Sequence, residues 1–127
     1  MVDKVEDLEL KDNIKEINIS VARIIYTVEK NLSKYKKAET FFEYYLPVTI
    51  KILKRYDEIE NQRLISNDSK KFMENTKNLI IETNKAYKKQ LSSLYQSDIV
   101  DSDAEMKVFE MMLKADGLDS NEINSDK

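Results

Sequence analysis

The sequence predicts an all-α protein, an elongated antiparallel bundle of four to five helices. Its 127 residues include one glycine, Gly117, and one proline, Pro47. Sheets and α/β folds need many tight turns, which draw on those two residue types. Apolar residues also recur in steps of three and four, which is the period of an amphipathic helix. A few long helices are therefore expected, in a single domain over residues 1–118.

The first helix is predicted from about Val5 to Tyr35. At about 30 residues and about 45 Å it is expected to be the longest helix, with an exposed seam available for dimerisation. The first turn is expected at residues 31–37, where clustered lysines suit the C-terminal end of a helix. The apolar residues of this helix are Leu10, Ile14, Ile17, Val21, Ile24, Ile25, Val28 and Leu32.

The second helix begins near Ala38, meets Pro47 and continues to about Leu64. Proline lacks an amide hydrogen and crowds the preceding turn, so the helix either kinks there or restarts with Pro47 at its first position. Four aromatic residues precede Pro47, and two interpretations stay open for them. They are wedged between helices, or part of the cluster is an exposed patch for a partner protein or a second copy. These aromatic residues are Phe41, Phe42, Tyr44 and Tyr45.

The third helix follows a break at residues 66–69, any of which suits a helix cap, and ends near Tyr95 or Gln96. Asn84 lies at its centre and is a poor helix former. If Asn84 is buried, it needs a hydrogen bond across the bundle, from a tyrosine hydroxyl or from backbone freed by Pro47. A structural role is favoured over a ligand role.

The last helix has clear end signals. Ser102 and Glu105 form a capping box at its start. Gly117 is expected to adopt the left-handed cap, with Leu118 folding back on Leu113 as in a Schellman motif. The acidic tail, residues 119–127, is expected to be disordered.

The composition of the chain limits the kinds of catalytic and binding site that it can form. The chain has no histidine and no cysteine, which removes the usual general base and nucleophile pairs. Carboxylates at helical spacing, such as Glu39 and Glu43, are interpreted as solvated helix faces, because the paired motif of helical metal-dependent hydrolases is incomplete. No catalytic, metal-binding or cofactor-binding residue and no cofactor is predicted. Basic residues are spread over several helices, so nucleic-acid binding is not expected.

No apolar run approaches the roughly 18 residues of a membrane span, and the charged N-terminus is not a signal peptide. The chain is therefore predicted to be cytoplasmic. Contact with the cytoplasmic face of a membrane, or an anchoring segment upstream in a longer protein, is left open.

Residues 41–47, Phe-Phe-Glu-Tyr-Tyr-Leu-Pro, are followed by Lys51, Leu53 and Tyr56. This stretch resembles the XpaC-like family, also called 5-bromo-4-chloroindolyl phosphate hydrolysis proteins, whose members share a similar YYLP segment. Residues 84–87 and 113–118 fit the same family, and the resemblance runs from about Ile14 to Leu118. It implies a bacterial envelope or stress context, and it carries over no catalytic residues.

The leading hypothesis is a non-enzymatic helical interaction module that binds a protein partner or a second copy, by a coiled-coil contact or through the four aromatics. Pro47, Asn84 and Gly117 are assigned structural roles. One alternative is a metal-dependent phosphoester hydrolase, as the name of the family suggests. The other is a membrane-surface adaptor that uses four lysines, Lys30, Lys34, Lys36 and Lys37.

Overall fold

The computed structural model describes residues 6–120, and within that range all regular structure is helical. The all-α prediction is confirmed. The predicted start near Val5 lies outside the described residues, as does most of the predicted tail. The elements are α1 (Leu8–Lys30), a 3-10 helix (Leu32–Ala38), a π-helical turn (Phe41–Tyr45), α2 (Leu46–Asn61) and α3 (Asn67–Ala115).

The chain forms two compact units, the first ending at Leu94 and the second beginning at Tyr95. The first unit contains α1, the 3-10 helix, the π-helical turn, α2 and the N-terminal part of α3. The second unit contains the C-terminal part of α3. The single domain predicted over residues 1–118 stays a prediction.

The first unit is built around one apolar core. On α1 and α3 the buried residues follow the three-and-four spacing seen in the sequence. The apolar row of α1 therefore packs into the core of this unit. The buried apolar residues are Leu10, Ile14, Ile17, Ile24, Val28, Ala38, Phe41, Leu53, Tyr56, Ile80, Tyr87 and Leu94.

Capping explains both ends of α1. The Asp7 carboxylate accepts a hydrogen bond from the Leu10 amide at 3.0 Å, which satisfies one free donor of the first turn. At the other end Asn31 leaves the helical conformation, and its side chain accepts from the Ser33 amide at 3.2 Å. The chain continues as a 3-10 helix where the first turn is predicted. With 23 residues, α1 is shorter than predicted. It is not the longest helix, because α3 has 49 residues.

The predicted break between the third and last helices was wrong, because α3 runs through it. Ser102 and Glu105 therefore lie inside a helix and do not form a capping box at its start. Residues 95–104 contain neither glycine nor proline, and extending a helix is easier than nucleating a new one.

Both predicted signals at the ends of α3 are present. The Ser66 hydroxyl accepts from the Ser69 amide at 3.1 Å and caps the first turn. At the C-terminus Gly117 has φ of 72°. The Leu118 amide donates to the Leu113 carbonyl at 2.8 Å, and the Gly117 amide donates to the Lys114 carbonyl at 3.0 Å. These two bonds form the Schellman motif that the sequence predicts.

Candidate functional site

The helix changes its form immediately before Pro47. Pro47 lies in the first turn of α2 and has no amide hydrogen to donate. In the turn before it, the Leu46 amide donates to the Phe41 carbonyl, five residues back instead of four. A π-helical turn therefore stands where the sequence predicts a kink or a restart. Such turns are rare and frequently occur at functional sites.

The π-helical turn divides the four aromatic residues between the interior and the surface. Phe41 is 1% exposed, whereas Tyr44 and Tyr45 are 59% and 52% exposed. Phe42 is partly buried and stacks on Tyr35 with ring centroids 5.6 Å apart. The wider turn holds one more residue than an α-helical turn, which spreads consecutive side chains around the axis. The proposed role of these residues in binding a partner stays a prediction.

A groove of about 440 Å³ opens between the π-helical turn and α3. The Phe41 and Tyr87 rings form the floor of the groove, where they pack edge-on with their centroids 4.9 Å apart. Exposed Tyr45 and Leu79 stand at its rim. Its lining comprises Phe41, Tyr45, Thr49, Leu79, Glu82, Thr83, Ala86, Tyr87 and Gln90.

Two hydroxyl groups fix the floor of the groove. The Thr49 and Tyr87 hydroxyl oxygens are 2.6 Å apart. Thr49 has one hydroxyl proton, and it donates that proton to the Tyr45 carbonyl at 2.7 Å. Tyr87 is therefore the donor in the bond with Thr49. Burial raises the pKa of the Tyr87 hydroxyl, so it stays protonated near neutral pH.

The groove suits apolar ligands more than anionic ones. Glu82 is the single ionisable carboxylate among the described lining residues, and none of them is lysine or arginine. A phosphate ester normally requires cationic side chains or converging amide donors. Apolar atoms of the three aromatic rings, Leu79 and Ala86 dominate the lining instead.

A more polar cavity of about 700 Å³ lies at the N-terminal end of α1. Lys77 contacts Asp7 at 3.0 Å and Glu9 at 3.1 Å, which ties α1 to α3. The Leu10 amide and Lys77 hold the pKa of Asp7 below its usual value. The two carboxylates raise the pKa of Lys77.

Two further groups in this cavity have pKa values that are shifted mainly by burial. Burial raises the pKa of the Glu60 carboxyl. Burial and nearby Glu60 raise the pKa of Tyr56 to about 12. Throughout residues 6–120, no three carboxylates are grouped as a set that could hold a metal ion.

Asn84 is buried in the first unit, as a structural role requires, but its partners were predicted wrongly. Its side-chain amide donates to the Asn13 side-chain oxygen at 2.9 Å and to the Glu16 carboxylate at 3.3 Å. Lys88 contacts the same carboxylate at 2.6 Å. The usable sequence signal was the spacing of Asn13 and Glu16, which flank buried Ile14 on α1.

The four lysines lie at the end of α1 and in the 3-10 helix. The Lys30 ammonium lies 5.4 Å from the centre of the Tyr26 ring. A membrane-surface role for this cluster stays a prediction. Among the described residues, none of the helices combines the length and the apolar character that crossing a membrane demands.

The described residues define a small all-helical protein with an open, aromatic-lined groove. A family model described as 5-bromo-4-chloroindolyl phosphate hydrolysis protein matches residues 1–109. The chain belongs to this family, so the XpaC-like resemblance is confirmed. Comparison with curated proteins and with solved structures gave no match.

Proposed function

We propose that this XpaC-like chain is a helical protein-interaction module. Its docking site is the groove between the π-helical turn and α3, and the occupant is the apolar face of a helix from a partner protein. The observation that carries this proposal is the position of exposed Tyr45 beside an apolar floor formed by Phe41 and Tyr87.

The size and edge of the groove support a protein partner. A space of about 440 Å³ accommodates one or two large side chains, and burying each contributes about 1.5–3 kcal/mol. Helices commonly bind in grooves between two helices through apolar side chains three or four residues apart. Tyrosine is enriched among the residues that dominate binding energy, and Tyr45, which lines the groove, is exposed.

Contacts within the chain position the floor of the groove. The Thr49–Tyr87 hydrogen bond and the Phe41–Tyr87 ring contact fix the side chains that a ligand would touch. A preformed site loses less conformational entropy on binding.

Site-specific photo-crosslinking tests the proposal. A benzophenone amino acid is placed at Leu79, on the groove rim, in chains expressed in the native organism. The matched control carries it at Ile19, which is 52% exposed on α1. We expect a discrete protein adduct from position 79 and none from position 19. A second substitution, Thr83→Arg, should abolish the adduct, because the arginine side chain would fill the groove and place a charge in it.

The captured protein must then bind the purified chain, and Thr83→Arg must weaken that binding by about tenfold or more. Equal adducts from both positions, or binding indifferent to Thr83→Arg, would contradict the assignment of the groove. Unchanged circular dichroism of the variant excludes unfolding as the cause.

The family description favours a second candidate, hydrolysis of a phosphate ester. Purified chain is incubated with 5-bromo-4-chloroindolyl phosphate and Mg²⁺ or Mn²⁺. Turnover above a heat-inactivated control, abolished by Lys77→Ala or Glu60→Gln in the polar cavity, would support this candidate. Turnover that persists in both variants would place the chemistry elsewhere.

A further inference from the structure

The second unit has a row of apolar side chains on the C-terminal part of α3. Every residue from 95 to 112 is exposed. Steps of three, four, three and four place the row at the a and d positions of a coiled coil. We name this row the C-terminal seam; it consists of the apolar residues Ile99, Met106, Phe109 and Leu113, with the polar residue Ser102 at one d position.

The exposure of this seam is large for apolar residues. Ile99, Met106 and Phe109 are 55%, 56% and 63% exposed. Contiguous apolar surface with polar edges is typical of a protein contact site. The heptad spacing further indicates that the contact is with one facing helix, because such a helix covers a narrow row.

The edges of the seam carry a single sign of charge. Both lysines of this stretch, Lys107 and Lys114, occupy the b position, one residue after a seam residue and outside the flanking positions. The charged residues at the flanking e and g positions are all acidic: Asp98, Asp103, Glu105 and Glu110.

These carboxylates argue against a second copy as the occupant. In a parallel pair Asp98 would face Asp103 of the other copy, and Glu105 would face Glu110. In an antiparallel pair e faces e and g faces g, which again sets acid against acid. Like charges at these positions destabilise a coiled coil and determine which partner is chosen.

We propose that the C-terminal seam binds an amphipathic helix of a partner protein whose apolar row is flanked by lysine and arginine. Apolar burial along the seam provides affinity, and the carboxylates on both edges select the partner by charge. This inference uses the second unit and does not depend on the groove of the first unit.

The test uses the full chain and two synthetic helical probes of about four heptads. Both probes carry leucine at a and d; one has lysine at e and g, and the other has glutamate there. We expect the lysine probe to bind about tenfold more tightly or better, since several charge pairs contribute. Calorimetric titration at rising salt should narrow this difference, because salt screens exposed charges.

Matched variants locate the contact on the helix. Phe109→Asp should weaken binding of the lysine probe about tenfold or more. Met111→Asp adds the same charge on the opposite side of the helix, where Met111 is 69% exposed, and should leave binding within about twofold. A variant with Asp103→Lys, Glu105→Lys and Glu110→Lys should prefer the glutamate probe.

Several outcomes would overturn the inference. One is equal affinity for both probes, and another is failure of both to bind at about 100 µM. Equal losses from Phe109→Asp and Met111→Asp would show that the contact is not on the seam. A dimer of the chain alone that Phe109→Asp dissociates would identify a second copy as the occupant. If Phe109→Asp lowers helicity by circular dichroism, the preference of the triple variant decides.

Discussion

The two parts of α3 show how one helix can serve two purposes. Before Leu94, residues such as Ile80 and Tyr87 are buried in the core of the first unit. After it, Phe109 and Met106 have the same helical spacing and are exposed. Apolar periodicity therefore predicts a helix in both parts but does not say whether the apolar row is covered within the chain. The predictions below test this contrast, from the largest expected effect to the smallest.

The largest contrast is between two phenylalanines. Phe41→Ala removes a buried ring and should lower the free energy of unfolding by about 3–5 kcal/mol. Phe109→Ala removes an exposed ring and should change it by no more than about 0.5 kcal/mol. Urea denaturation followed by circular dichroism measures both. Similar losses from the two variants would show that the second unit also has a core.

The Thr49–Tyr87 bond provides the next effect. Thr49→Val leaves the buried Tyr87 hydroxyl without its acceptor and should cost about 1–3 kcal/mol. Adding Tyr87→Phe removes the stranded donor and should restore part of the loss, which a double-mutant cycle measures. Thr83→Val is the control, because its hydroxyl bonds only to the Leu79 carbonyl of its own helix turn. If Thr83→Val lowers the free energy of unfolding as much as Thr49→Val does, the Thr49–Tyr87 bond does not contribute specifically to stability.

Glu60 predicts a dependence on pH. Because burial raises the pKa of the Glu60 carboxyl above its ordinary value of 4.5, ionisation is less favourable in the folded state than in the unfolded state. Glu60 therefore contributes favourably to the free energy of unfolding at low pH. This contribution is lost as the pH rises past that value. Glu60→Gln should stabilise the protein at pH 7, and the gain should vanish below about pH 4.

Denaturation midpoints at several pH values measure this gain. Glu110→Gln makes the same change of charge at an exposed site of the second unit and is the matched control. Asp7 works in the opposite sense, because its pKa is lowered and its contribution is lost as the pH falls. The test therefore compares each variant with the parent chain at each pH. A gain from Glu60→Gln that is independent of pH would contradict the assignment.

The smallest effects concern the two residues with positive φ among residues 6–120, one in each unit. Arg63 has φ of 51° and Gly117 has φ of 72°. Arg63→Gly should stabilise the first unit by about 0.5 kcal/mol, because glycine adopts this conformation without a steric penalty. Gly117→Ala should weaken the Schellman motif by about 1 kcal/mol. Amide exchange at Leu118 reports the second change, and undiminished protection there would contradict it.

The helix ends were predicted best where they depend on hydrogen bonds between residues close in sequence. Glycine at position 117 and serine at position 66 specify their caps through bonds within a few residues. The break near residue 102 was predicted wrongly because a capping sequence also tolerates a helix interior, and only the continuous backbone distinguishes the two cases.

The candidate site was harder to predict, because it depends on contacts between distant residues. Pro47 signals a disturbance of the helix but does not specify a π-helical turn. The pairing of Thr49 with Tyr87 joins positions 38 residues apart, and no local pattern encodes it. The structural role assigned to Asn84 stays a prediction, and its partners Asn13 and Glu16 depend on how α1 packs against α3.

The π-helical turn has a consequence for the length of the chain. A turn closed over five residues holds one more residue than an ordinary turn, so residues 41–45 contain in effect a single-residue insertion. Deleting one residue there would restore a regular helix and leave the helical phase on either side nearly unchanged, whereas a deletion within α2 would rotate one side by about 100°. Phe41 and Tyr45 would then be three residues apart instead of four. The spacing between them is thus a countable feature by which sequences with and without the π-helical turn can be told apart.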